Sequence, residues 1–104
     1  NTVQMNILAA TAGESAKGSV YNVALGNRTS LNELFDAIKL ALKDSGRLVE
    51  LKPVYRDFRE GDVRHSQADI SKSESILGYD PQYKIVEGIA RAMPWYVGFI
   101  DRAK

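Results

Sequence analysis

Residues 20–55 read VYNVALGNRTSLNELFDAIKLALKDSGRLVELKPVY, and the fold turns on how this stretch divides. Val20-Tyr21-Asn22-Val23-Ala24 is short, β-branched and aromatic, and Gly26-Asn27 closes it, which predicts a buried strand followed by a turn. Ser30-Leu31-Asn32-Glu33 has capping-box spacing: the hydroxyl and the carboxylate satisfy amides that a helix start leaves without partners. Leu31, Leu34, Phe35, Ile38 and Leu42 then share one stripe, Lys39 and Lys43 lie off it, and Gly46 is a suitable terminator, so a helix is predicted between them. Val49, Leu51 and Val54 return to strand composition among polar neighbours, with Pro53 disturbing the pattern. Two strands joined by one helix of this length are usually parallel with a right-handed crossover. The expected class is therefore α/β, a small βαβ unit with flanking helices.

Outward from this unit, Val3, Ile7, Leu8 and Ala10 have near-helical spacing and Gly13 follows, predicting a short helix over 3–11 and a linker over 13–18. On the other side, Ser71-Lys72-Ser73-Glu74 repeats the capping-box spacing ahead of Ile76, Leu77 and Gly78, which predicts a helix of about two turns. Ile85, Val86, Ile89, Met93, Tyr96, Val97 and Ile100 trace a further helical face, and Pro94 inside it predicts a kink or two abutting helices. No repeat or low-complexity tract interrupts the chain, so one compact domain is expected over 1–104.

Composition narrows the function classes. The 104 residues allow one domain at most, 44% hydrophobic and 26% charged residues suit a globular chain, and no apolar run approaches a membrane span. Fourteen basic against thirteen acidic side chains give a net charge of +1, too little to recruit nucleic acid. With no cysteine and one histidine, thiolate chemistry is absent and a metal site is not expected. The amino terminus, Asn1-Thr2-Val3-Gln4-Met5, has no basic stretch ahead of an apolar one and reads as the middle of a longer protein rather than a secretory signal. A cytoplasmic location is the expectation.

Residues 56–69, RDFREGDVRHSQAD, are the stretch that packing does not explain. Arg59 and Asp62 flank Gly61, so a tight turn would aim a guanidinium and a carboxylate into one place. The planar guanidinium fork suits phosphate, and the carboxylate suits sugar hydroxyls. The alternative is a solvated loop with surface ion pairs. Ser66 reads either as a ligand contact or as a loop hydroxyl bonded to nearby backbone. His65 and Arg28 are expected on the surface, Asn22 as a partner for a backbone group at a strand end, and Trp95 with Tyr96 as packing residues.

Arg59-Glu60-Gly61-Asp62-Val63, then Ser66-Gln67-Ala68-Asp69-Ile70-Ser71-Lys72 and Leu77-Gly78-Tyr79, resemble the C-terminal signature of the sugar-nucleotide epimerases among the extended short-chain dehydrogenases/reductases. Tyr21-Asn22-Val23-Ala24 and the run from Gly26 to Leu34 resemble that family's strand and helix start, and residues 1–11 its preceding helix. The resemblance thus spans almost the whole chain. It is strongest to the UDP-N-acetylglucosamine 4-epimerases of bacterial surface polysaccharide synthesis.

The resemblance implies a C-terminal substrate domain in which Arg59 clasps the diphosphate of a UDP-sugar, Asp62 binds its ribose, and Ser66 faces the hexose. A small residue at 66 would admit an acetamido group. It also implies NAD as cofactor of the complete enzyme, with residues 1–14 packing on the coenzyme-binding half and 19–104 forming the substrate domain. The chain departs from the family in having neither a G-x-x-G-x-x-G turn nor a Y-x-x-x-K pair, so it is expected to bind no cofactor and to be inactive alone. The expected partners are a weakly bound UDP-sugar, a second copy through exposed apolar faces, and a Rossmann-type domain. The competing function is a non-enzymatic, oligomerising interaction module that kept the fold and lost the chemistry.

Overall fold

The computed structural model describes residues 1–62 and 66–103. It contains four α-helices: α1 Thr2–Thr11, α2 Leu31–Asp44, α3 Ser71–Leu77 and α4 Ile85–Arg102, with one turn of 3₁₀ helix at Glu14–Ala16. Among the described residues there is no β-strand, which overturns the α/β expectation and its βαβ unit. Residues 1–28 with 66–83 form one compact unit, and residues 29–62 with 84–103 form another.

In the first unit α1 packs on α3, and the core is Met5, Ala16, Ile70, Leu77 and Tyr79, with Leu8, Ala12, Tyr21 and Ala24 against it. The predicted strand at 20–24 lies within this unit without a β-ladder. Side chains take the place of a partner strand. The carbonyls of Val20, Asn22, Ala24 and Gly26, at every second residue, accept from Lys72 Nζ (3.2 Å), Ser73 Oγ (2.6 Å), Tyr79 Oη (2.9 Å) and Gln67 Nε2 (2.6 Å) respectively. Period-two spacing is what an extended backbone presents along one edge. The sequence signal was therefore read as a ladder where the carbonyls are met by side chains from 67–79.

Helix α3 starts one residue earlier than its sequence suggests. Ile70 is the N-cap and no capping box forms at Ser71. Instead the Asp69 carboxylate accepts from the Ser71 backbone N–H (2.9 Å) and from the Ser71 hydroxyl. These two bonds, the hydroxyl first, hold the Asp69 carboxyl below the usual aspartate range. Gly78 ends the helix at φ 66°, in the left-handed region, and the Tyr79 N–H reaches back to the Ser73 carbonyl (3.2 Å).

In the second unit α2 packs on α4. The capping box at Ser30 forms as predicted: Glu33 N–H donates to Ser30 Oγ, and Ser30 N–H donates to Glu33 Oε2 (2.7 Å). The predicted stripe is rotated, however, because Leu31 is 83% exposed while Ala37 and Ala41 are the buried positions of the helix. Two alanines four residues apart leave a shallow face that lets a neighbouring helix approach closely. Helix α4 runs unbroken through Pro94, so one helix replaces the two abutting ones; Ile85, Ile89, Met93 and Val97 form its more buried side. Arg47 and Asp101 form an ion pair between the segment after α2 and the end of α4.

The second predicted strand, 49–55, is also absent. Residues 50–62 are all exposed, with Leu51 at 65% and Val54 at 81%. Pro53 withholds an N–H, and an isolated strand pair is at best marginally stable in water, so strand composition alone does not make a strand here.

Candidate functional site

Residues 59–62 fold into a β-turn closed by the Asp62 N–H on the Arg59 carbonyl (3.1 Å). Gly61 at the third position has φ 85°, whereas Glu60 before it is not at positive φ, the pattern of a type II turn that favours glycine there. The turn brings the two expected side chains together. Asp62 Oδ2 accepts from the Arg59 backbone N–H (3.1 Å) and lies 3.6 Å from Arg59 Nε. Both contacts use the same carboxylate oxygen, one with the Arg59 backbone N–H and one with its Nε. The Arg59 side chain is 89% exposed and the Asp62 side chain 42%. An exposed pair contributes little to stability, so the arrangement is better suited to presenting charge than to holding the fold.

Ser66 belongs to the first unit, on the exposed segment leading into α3. The residues after it are tied down. Gln67 Nε2 donates to the Gly26 carbonyl (2.6 Å), and Asn22 Nδ2 donates to the Asp69 carbonyl (2.8 Å). Gly26 has φ 69°, and a Cβ there would come within 3.1 Å of the Ile70 side chain, so the two segments approach closely at that point. Asn22 does bond a backbone group, as expected, but on a residue forty-seven positions away. Gln67 stands within the quoted signature, but its bond to the Gly26 carbonyl depends on the turn at Gly26 and is not read from sequence. His65 lies outside the described residues. Trp95 stacks on Phe99 (5.4 Å between centroids) and meets Tyr96 edge-on, yet Trp95 and Tyr96 are each more than half exposed, so their packing is largely mutual.

Two shallow grooves lie in the second unit. One of about 230 Å³ is lined by Asp36, Lys39, Leu40, Lys43, Leu48 and Val49, the other, of about 200 Å³, by residues of α2, α4 and the segment between Arg47 and Val49. Neither includes Arg59 or Asp62. Among the described residues no group of three or more His, Asp or Glu is placed to hold a metal ion, and no helix is long and apolar enough to cross a membrane.

A dinucleotide site needs a helix N-terminus with open amides behind a glycine-rich turn. At α2 the Glu33 N–H is engaged by Ser30 Oγ and the Ser30 N–H by the Glu33 carboxylate, and the Glu33 carboxyl is held below its usual range by the Ser30 backbone N–H and then by the Ser30 hydroxyl.

No protein-family model matches the chain. Comparison with curated proteins finds a Methanocaldococcus jannaschii protein with a provisional UDP-glucose 4-epimerase name, 40% identical over 79 residues, which are 76% of this chain and 24% of that protein. A dTDP-L-rhamnose 4-epimerase of Burkholderia thailandensis is 31% identical over 92% of this chain and 25% of its own length. A UDP-glucose 4-epimerase of Mycolicibacterium smegmatis is 32% identical over 81% of this chain and 25% of its own length. The chain thus spans about a quarter of the length of the curated relatives it matches. Across three quarters or more of its residues, the chain is a homologue of nucleotide-sugar 4-epimerases.

Proposed function

We propose that the chain is the UDP-sugar-binding C-terminal region of an NAD-dependent 4-epimerase of the extended short-chain dehydrogenase/reductase type, acting on UDP-N-acetylglucosamine or UDP-glucose. The observation that carries this reading is the type II turn that joins Arg59 to Asp62 in a chain homologous to such enzymes. Arg59 offers its guanidinium to the diphosphate, Asp62 its carboxylate to a ribose hydroxyl, and Ser66 a small side chain beside an N-acetyl hexose. Residues 1–14 are the helix that faces the coenzyme-binding half, and 19–104 the substrate domain. NAD supplies hydride chemistry in the complete enzyme. This chain supplies one wall of the sugar-nucleotide site and no group for proton or hydride transfer, so binding is weak, in the millimolar range, and epimerisation by this chain is not expected.

The test is calorimetric titration of the chain with UDP-N-acetylglucosamine beside an Arg59→Ala variant. Weak binding that the substitution lowers at least about tenfold supports the reading, since charge-assisted hydrogen bonds contribute roughly 1.5–3 kcal/mol each. Equal behaviour of both proteins removes Arg59 from the site.

A second reading, an oligomerising interaction module derived from such a domain, is favoured by one observation: Trp95, Tyr96, Phe99 and Ile100 are each more than half exposed on α4. A module of this kind forms a stable homo-oligomer and leaves UDP-sugars unbound.

A further inference from the structure

We infer that Asn22 and Gln67 are positioning residues that fix the segment carrying Ser66. The inference rests on the reading of Ser66 as a sugar contact and goes beyond it, to the groups that act through Ser66 rather than on the ligand.

Segment 66–70 carries no regular structure of its own and is exposed up to Ile70, the buried N-cap of α3. It is tied from outside to the run 22–26. The Asn22 side chain donates to the Asp69 carbonyl (2.8 Å), and the Gln67 side chain donates to the Gly26 carbonyl (2.6 Å). The two bonds cross in direction, one from each segment, and bracket residues 67–69. The run 22–26 is itself anchored: the hydroxyl of fully buried Ser73 donates to the Asn22 carbonyl (2.6 Å), and Tyr79, 2% exposed, donates to the Ala24 carbonyl (2.9 Å). Asn22 is the junction, since its side chain holds the Ser66 segment while its own carbonyl is held by α3. Gly26 stands at the close approach of the two segments at φ 69°, a conformation that L side chains rarely adopt, and a Cβ there would lie 3.1 Å from Ile70 Cδ1.

Asn22 and Gln67 are both exposed and contribute no core packing. Neither is needed to bury apolar surface, and their amides are spent on backbone carbonyls of the other segment. A site built on a loop must be held by a supporting shell of hydrogen bonds to reach sub-ångström precision, and these two amides are that shell for Ser66.

The experiment compares the full chain with Asn22→Ala, Gln67→Ala and the double variant. Amide hydrogen exchange and ¹H–¹⁵N spectra are read at residues 66–69, and affinities are measured for UDP and for UDP-N-acetylglucosamine. The expected result is faster exchange and shifted resonances at 66–69 in the variants, with the thermal midpoint little changed and UDP affinity retained. The preference for UDP-N-acetylglucosamine over UDP falls by about fivefold, the effect of roughly one hydrogen bond. Asn22→Gln, which keeps a donor amide, restores part of the exchange protection. Unchanged exchange and unchanged preference in the double variant overturn the inference while leaving the sugar-nucleotide reading intact. A wild-type chain that binds UDP but does not distinguish the two ligands also overturns it, whereas a chain that binds neither strikes the underlying reading first.

Discussion

Tyr79 and Ser73 carry the interior of the first unit. Tyr79 is 2% exposed, and burial raises its phenol pKa above the ordinary value, so it stays neutral and donates to the Ala24 carbonyl across the physiological range. Tyr79→Phe keeps the ring and removes that donor. It is expected to cost about 1 kcal/mol by urea denaturation, whereas Ser73→Val, which replaces the hydroxyl with one methyl group and forces a second into a site with no exposed surface, costs roughly 1–3 kcal/mol. If Tyr79→Phe proves neutral, water satisfies the Ala24 carbonyl as well as the tyrosine does. The sequence marked Arg59, Gly61 and Asp62 correctly as a turn, because a glycine between two charged residues is a local signal. Tyr79 and Ser73 were not legible as core residues, since their partners lie more than fifty positions away.

Helix ends were legible wherever their chemistry is contained in four consecutive residues, as at Ser30 and Gly78. The same spacing at Ser71 misled, because Asp69 lies two residues earlier and takes both the Ser71 N–H and its hydroxyl. Strands were not legible in the same sense. The run 20–26 has an extended segment's alternate carbonyls but a strand is defined by its partner, and here side chains from 67–79 are the partners. The carboxyls of Glu33 and Asp69 both lie below their usual ranges when folded, so the unfolded chain binds protons more readily. Their contribution is complete above the ordinary carboxylate range and is lost as the pH falls through the folded values. Helical circular dichroism followed from about pH 6 to pH 2 should therefore decline with acid. Ser30→Ala should move the loss attributable to α2 to higher pH and lower the thermal midpoint at neutral pH by a few degrees. A pH profile identical to that of the parent chain would mean that the capping box does not form in solution.

At the scale of the whole molecule, homology points to the nucleotide-sugar 4-epimerases while the architecture departs from the expected class. The relatives are 4-epimerases about four times as long as this chain, while the described residues form two helical units without a sheet. The resemblance carried the functional assignment because the Arg59-to-Lys72 signature is read from residue identity. The α/β expectation failed because a sheet depends on strands from more than one place in a protein, and composition at 20–24 and 49–55 cannot supply them. The central claim, that the surviving function is a UDP-sugar half-site on this chain, is tested most directly by mapping UDP-N-acetylglucosamine onto the ¹⁵N-labelled protein. The account predicts dose-dependent shifts at the backbone amides of residues 59–62 and 66–69, absent in Arg59→Ala. Shifts confined to the groove beside Lys39 and Lys43, or none at several millimolar ligand, would contradict it.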